Sequence, residues 1–164
     1  MLIRPSTSDD IAAITAIYAH HVLQGTGTFE ETPPSSETMA QRRDAVLAHG
    51  LPWLVAERDN HVTGYCYAQK YHPRSAWRFT LEDAIYVAPD AQRSGSGRAL
   101  LSELIRQCTA LGYRQMIAVI GDNANAGSIG LHRACGFEPA GLLKNVGRKF
   151  DRELDVVLMQ LRLR

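Results

Sequence analysis

A single mixed-sheet α+β domain spanning residues 1–164 is the fold class this sequence predicts, and three observations predict it. Between Pro52 and Val87 lie three strand-like runs joined by short connections, the pattern of an antiparallel meander. After Val87 comes a long amphipathic helix and then a short apolar strand, the pattern of a strand–helix–strand crossover. The 164 residues, 45% apolar and 21% charged, are enough for one domain with a sizeable core, and no repeat or long linker divides them.

Each element has a local reason. The stretch "LIRPSTSDDIAAITAIYAHHVL" opens as a short strand and turns helical. Thr7 and Asp10 have capping-box spacing, and Ile11, Ile14, Tyr18 and Val22 form one apolar face. Gly25, Gly27 and Pro33-Pro34 break the chain into a loop, and a second helix is expected from Ser36 to His49, with Gly50 as its stop. "PWLVAER", the turn "DN" and "HVTGYCYAQKY" predict a hairpin, and "WRFTLEDAIYV" a third strand stopped at Pro89. From Gly95 to Leu111, Leu100, Leu101, Leu104, Ile105, Cys108 and Leu111 fall at helical spacing. "QMIAVI" has the wholly apolar character of a mid-sheet strand. A helix over Ala126 to Ala134 should end at Gly136. In the tail, Val157, Met159, Leu161 and Leu163 alternate, as in a strand with one wet face. The order is βα-α-βββ-α-β-α-ββ.

Charge and cysteine usage narrow the function classes. A net charge of +1 gives no bulk field toward nucleic acid or a membrane, so any anion must be held locally. No apolar run approaches the ~18 residues of a membrane span, and "MLIRPSTSDD" lacks the apolar stretch of a signal peptide. Cys66, Cys108 and Cys135 lie far apart, show no metal spacing and are odd in number, which suits a reducing cytoplasm. The expectation is a cytoplasmic protein that needs no metal.

The glycine-rich stretch "VAPDAQRSGSGRALL" is the strongest local signal of a ligand. A Walker loop would need a lysine after Gly97, and a dinucleotide fingerprint would need glycine where Leu100 stands. A strand followed by Gln/Arg-x-x-Gly-x-Gly/Ala and a long helix fits better. The backbone N–H groups of Ser94 to Arg98 would then line the positive end of the helix. Gly95 and Gly97 allow close approach to a pyrophosphate, and Arg93 and Arg98 can add charged contacts. Taken alone, the same residues also fit a plain glycine turn before a helix.

Read together with its neighbours, the sequence resembles the GCN5-related N-acetyltransferase superfamily, and within it the phosphinothricin and methionine sulfoximine/sulfone acetyltransferase group. "QRSGSG" matches the acetyl-CoA pyrophosphate signature, and "NANAGSIGLHRACGF" looks like the second cofactor motif. "IYAHHVLQGTGTFEETPP", "PWLVAE" and "GYCYA" resemble the group's N-terminal half. The likeness implies a central, mostly antiparallel mixed sheet with helices on both faces and a V-shaped acetyl-CoA cleft. It also implies a homodimer. Cofactor contacts would come from Tyr86, Val87, Gln92, Arg93, Ser94, Gly95, Ser96, Gly97, Arg98, Asn125 and Ser128.

Acetyl transfer from a thioester to an amine needs a base for the amine, a donor for the carbonyl oxygen and a proton for the departing sulfur. The resemblance implies Glu82 of "TLEDAIYV" as the base, acting directly or through water. Strand alternation puts Glu82 and Ala84 on one face and Asp83 on the other, and a carboxylate on an interior strand is costly to bury without a purpose. Val87 is implied as the backbone donor to the carbonyl. His132 stands where many relatives carry a tyrosine, and its histidine could serve as the acid or orient the amine. On the substrate side, the likeness points to Arg74 as a fork for an acid group, Trp77 as a wall, Phe29 as a cover and His72 as a basic contact. Trp77 and Phe29 fit ordinary core packing equally well.

The C-terminal "GRKFDRELD" keeps the group's Gly147, Lys149, Phe150 and Asp155 but has Asp151 for a glycine and Glu153 for a tryptophan. That exchange adds acidic character, suits a cationic amine better than a phosphinate and leaves the acceptor open. The implied function is acetyl-CoA-dependent acetylation of the α-amine of a small amino acid or analogue, by direct transfer in a ternary complex. The alternatives are another amine acceptor (polyamine, aminoglycoside or protein N-terminus) and a non-catalytic acyl-CoA-binding module.

Overall fold

The computed structural model describes residues 1–164. Seven strands form one sheet: β1 (Leu2–Pro5), β2 (Trp53–Arg58), β3 (His61–Lys70), β4 (Thr80–Val87), β5 (Gln115–Gly121), β6 (Glu138–Lys149) and β7 (Arg152–Arg162). Four helices accompany them: α1 (Ile11–Gln24), α2 (Ser36–Ala48), α3 (Ser96–Ala110) and α4 (Ala126–Ala134). The strand order is β1-β2-β3-β4-β5-β7-β6. Every neighbouring pair is antiparallel except β4–β5, which the α3 crossover makes parallel.

Turn chemistry sets the registers. Asp59 and Asn60 both take positive φ (51° and 62°), the two-residue hairpin geometry whose twist matches the strands it joins. Phe150 and Asp151 repeat it between β6 and β7. At the N-terminus the Thr7/Asp10 capping box forms around a short 3-10 turn that leads into α1. Asp10 also takes a two-pronged bond from Arg4, at 2.8 and 2.9 Å, which ties this helix start to β1. Gly50, at φ 69°, ends the second helical segment one residue earlier than expected.

Two expectations shift. The third strand begins at Thr80, because Ser75–Trp77 closes a 3-10 turn through Trp77 N–H to Arg74 C=O and Arg78 N–H to Ser75 C=O. Phe79 then sits between the guanidinium groups of Arg78 and Arg114. On β7 the buried set is Leu154, Val156 and Met159, with Leu163 buried just past its end and Val157 and Leu161 only half-buried. Register shifts in the β6 partner interrupt simple alternation there.

The sheet has two covered faces. Tyr65 and Tyr67 stack with Trp53 on the side of α1 and α2, where Tyr86 meets Tyr18 edge-on at 5.0 Å. Cys66, one residue out of phase, faces α3 with its Sγ 3.5 Å from the Leu100 carbonyl. The hydrophobic core contains a cluster of 27 buried residues drawn from both faces, so the sheet is the middle layer of three. No helix is long and apolar enough to cross a membrane.

Candidate active site

The site exists because two neighbouring strands part company. Strands β4 and β5 pair from Thr80↔Gln115 to Asp83↔Ala118 and no further. Beyond that point β4 stays on β3 as far as Val87↔Gly64, and β5 stays on β7 as far as Gly121↔Val156. A V therefore opens in the middle of the sheet, with Asp83 and Ala118 at its vertex. Ala88 N–H bonds the Thr63 carbonyl, which fixes the parity of the β3–β4 ladder. On that parity Glu82, Ala84 and Tyr86 exchange bonds with β3, while the Ile85 and Val87 peptide groups face the gap. Unspent strand amides beside an open gap can bond an extended amide chain.

The cleft holds about 710 Å³ and is walled by β4, β5, the 92–98 loop, α4 and the glycine loop after α1. Of the residues the sequence pointed to, Glu82, Tyr86, Val87, Gln92, Arg93, Gly95, Gly97, Arg98, Asn125, Ser128 and His132 all border it. Ser94 and Ser96 do not. Ser96 is turned inward, with its Oγ 2.8 Å from Ser94 Oγ and 3.3 Å from Thr63 Oγ1. Those two serines brace the loop from behind. Arg93 (φ 57°) and Gly95 (φ 90°) take left-handed conformations that bend the chain into the first turn of α3. The amides of that turn have no carbonyl within the helix to bond, so they suit phosphate oxygens.

Glu82 lies half-buried on the α1/α2 face, opposite Gln69. Burial, with the charge of adjacent Asp83, raises its carboxyl above the ordinary range, which moves it toward the work of a base near neutral pH. Asp83 points to the other face, where its Oδ2 is 2.9 Å from His132 Nε2. His132 is 2% exposed, and its Nδ1 lies 2.7 Å from the Ser128 carbonyl. Burial lowers the His132 pKa, but the bonds and charge of Asp83 and the Ser128 carbonyl outweigh it, and the net shift is upward.

Not every expected substrate residue reaches the cleft. Arg74 and Trp77 are exposed in the β3–β4 loop, beyond the Glu82 end of β4, where Trp77 packs on Tyr71 and His72. His72 Nδ1 accepts the Arg74 backbone N–H at 3.2 Å. Phe29 packs elsewhere: its ring fills the space that side chains at Gly121 and Gly147 would occupy. It pins the 25–30 loop to β5 and β6, so it anchors the cleft's cover and does not itself border the cleft. Lys149 supports the same loop through a 2.9 Å bond to the Thr28 carbonyl, and Thr26 Oγ1 bonds Asp122 at 2.7 Å. Asp151 and Glu153 are exposed at the β6–β7 hairpin, outside the cleft, so within one chain they leave its walls unchanged.

Two groups at the site were not singled out from the sequence. His21, half-buried on α1, sets its Nε2 2.8 Å from the Val87 carbonyl and braces the peptide unit at the end of β4. Burial holds its pKa below the usual value, and Nε2 donates because the carbonyl can only accept. The other is Asp83. Its only sequence signal was a second carboxylate, beside Glu82, on an interior strand.

Comparison with known proteins agrees with this geometry. A family model described as the acetyltransferase (GNAT) family matches residues 11–137. A phosphinothricin N-acetyltransferase of Alcaligenes faecalis is 57% identical over 158 residues, covering 96% of this chain and 80% of the relative. An L-methionine sulfoximine/L-methionine sulfone acetyltransferase of Salmonella typhimurium is 37% identical over 163 residues, 99% of this chain and 95% of the relative. Among solved structures, a GNAT superfamily phosphinothricin acetyltransferase from Sinorhizobium meliloti, in complex with AcCoA, superposes with a TM-score of 0.96. It is 48% identical, with 99% of this chain and 88% of that one covered. A sheet split at Asp83/Ala118, a glycine loop heading α3 and these likenesses along almost the whole chain lead to one conclusion: this protein belongs to the GNAT acetyltransferase family.

Proposed function

We propose that this enzyme transfers the acetyl group of acetyl-CoA to the α-amine of a small amino acid or analogue. Phosphinothricin, methionine sulfoximine and methionine sulfone are the leading acceptors. The observation that carries this reading is the V in the sheet, which joins the glycine loop heading α3 at one end to a carboxylate of raised pKa at the other. The 57% identity to a phosphinothricin N-acetyltransferase supports the acceptor class.

In this reading the loop Gln92–Arg98 holds the pyrophosphate of coenzyme A, and Asn125 and Ser128 border the same ligand. Bound acetyl-CoA supplies an activated acetyl group, and the protein's part is to place it and move protons. The free amide edge of β4 at Ile85 and Val87 aligns the arm of the ligand, and Val87 N–H stabilises the carbonyl oxygen as it gains charge. His21 keeps that peptide unit in place. Glu82, on the α1/α2 face, removes a proton from the acceptor amine; the thiolate leaves with its electron pair and takes a proton from water, while His132, bonded to Asp83 and the Ser128 carbonyl, orders the α3/α4 side of the gap. Arg74 and His72, in the loop beyond Glu82, are the cationic groups available to an acceptor's acid function.

Direct transfer follows from this layout, since amine and thioester meet across the gap and no cysteine borders the cleft. Strand β6 leaves Leu142, Leu143 and Val146 exposed, which supports a homodimer built on that edge. Three free thiols and the absence of disulfides suit a reducing cytoplasm. The test is steady-state thiol release from acetyl-CoA with each of the three acceptors, alongside a polyamine and an aminoglycoside. Turnover confined to the amino-acid analogues is expected. Acetyl-CoA binding without turnover of any of the three overturns the acceptor assignment.

A further inference from the structure

We propose that Asp122 is a positioning residue that couples two walls of the cleft: through it, coenzyme A bound beside α4 orders the 25–27 loop that leaves α1. This coupling rests on the acetyl-CoA reading of the cleft and goes beyond it by linking cofactor binding to acceptor binding. Asp122 directly follows β5 and borders the cleft, as do Thr26 and Gly27 on one side and Asn125 and Ser128 on the other. The 25–27 loop comes from the helix that covers the Glu82 face, where the acceptor is read to bind.

Residue chemistry explains why an aspartate stands there. The backbone at Asp122 takes φ 69°, a left-handed conformation that Asp, Asn and Gly accept more readily than other residues. Its N–H bonds the Asp155 carbonyl at 2.8 Å, and its own carbonyl accepts the Asn125 N–H at 3.0 Å. The main chain thus fixes the turn between β5 and α4. The side chain joins the two loops: Thr26 Oγ1 donates to Oδ2 at 2.7 Å, and the Ala124 N–H donates to Oδ1 at 3.0 Å. Arg152 Nη2 lies 3.6 Å from Oδ2. Asp122 is only 8% exposed, so water competes little for these bonds. The Thr26 hydroxyl first, and the Ala124 amide second, hold the carboxyl below its usual range.

The loops also touch directly. A side chain at Gly121 would collide with the Thr26 carbonyl, and a Cβ at Gly27 would lie 3.3 Å from Asn125 Nδ2. Asn125 in turn caps α4, its Oδ1 accepting the Ser128 N–H at 3.2 Å. Thr26, Asp122, Asn125 and Ser128 therefore form one hydrogen-bonded chain from the loop after α1 to the first turn of α4.

Residues 25–35 form no helix or strand, so their order depends on such contacts. Phe29 and Lys149 fasten the far part of this segment to β6, and the Asp122 carboxylate bonds its near part to the α4 side. Once coenzyme A rests against Asn125 and Ser128, the near part is already ordered when an acceptor arrives. The acceptor then loses less freedom on binding and binds tighter. Linkage makes the effect reciprocal, so a bound acceptor tightens coenzyme A by the same factor.

Two substitutions break the link gently. Thr26→Val removes the hydroxyl at nearly constant shape, and Asp122→Gly removes the carboxylate at a φ that glycine accepts. Amide hydrogen exchange around Thr26, read by mass spectrometry, follows the loop with no acceptor present. Coenzyme A should slow that exchange about 10-fold in the native enzyme and hardly at all in either variant. Calorimetry should find coenzyme A alone binding all three proteins alike. Saturating coenzyme A should tighten phosphinothricin binding about 10-fold in the native enzyme, a gain that both variants lose. Thr26→Ser keeps the hydroxyl and should keep the protection. Native loop exchange that ignores coenzyme A overturns the proposal without any variant. So does protection that survives Thr26→Val or Asp122→Gly, because the ligand then orders the loop by direct contact, and so does protection lost in Thr26→Ser. Failure of the underlying reading looks different: coenzyme A does not bind the native enzyme at all, and the coupling falls with it. If phosphinothricin fails to bind while exchange behaves as expected, the acceptor assignment fails and the role of Asp122 stands.

Discussion

At the scale of single residues, Glu82 carries the most direct prediction. Glu82→Gln should lower kcat by at least ~10²-fold, while calorimetry finds acetyl-CoA binding unchanged. Its carboxyl is raised by burial and by Asp83, and a base works only when ionised. Activity should therefore fall as pH drops through a value above the ordinary glutamate range of ~4.3, and this acid limb should vanish in the variant. The placement was legible from the sequence: alternation separated Glu82 from Asp83, and the glycines marked the loop that heads α3 beside the cleft. The partner of Asp83 was not legible, because His132 lies 49 residues away and only folding brings α4 beneath β4. His21 was hidden for the same reason, since its contact, Val87, is 66 residues distant.

Elements show where local rules succeed and where packing overrides them. Caps and turns came straight from the sequence: Thr7/Asp10, the Asp59-Asn60 hairpin and the Gly95 bend all stand where residue chemistry requires them. The Asp10–Arg4 pair makes a stability prediction. Its Arg4 bond holds the Asp10 carboxyl below the usual range, so its contribution is present above the unfolded value of ~3.9 and is lost as pH falls through the lower folded value. Asp10→Asn should cost about 2 kcal/mol in urea unfolding near neutral pH and flatten the acid dependence of stability. Phe29 shows the opposite case. Sequence offered it as a cover for the substrate, and the fold uses it as a plug against Gly121 and Gly147, a contact that composition cannot reveal. A side chain at Gly147 would collide with that ring, so Gly147→Ala should cost about 1–3 kcal/mol by thermal or urea unfolding. Adding Phe29→Ala should make the two losses less than additive.

On the scale of the whole molecule, the β2-β3-β4 meander and the crossover from β4 to β5 were predictable from the sequence, whereas the insertion of β7 between β5 and β6 was not. The point at which β4 and β5 separate was not, since it depends on each strand keeping its other neighbour. That separation makes the site. The exposed β6 strand belongs to this scale as well. If the proposed homodimer forms on β6, the native protein should sediment as a dimer and Leu143→Lys as a monomer; a monomeric native protein, or a dimer unchanged by the substitution, would contradict that contact. The central claim is the acetylation of an amino-acid α-amine across the gap in the sheet. Mass spectrometry and NMR of the product formed from phosphinothricin and acetyl-CoA test it most directly. The account predicts a single acetyl group on the α-nitrogen, formed by the native enzyme and almost abolished in Glu82→Gln; acetyl-CoA binding with no acetylated product, or equal product from the variant, would contradict it.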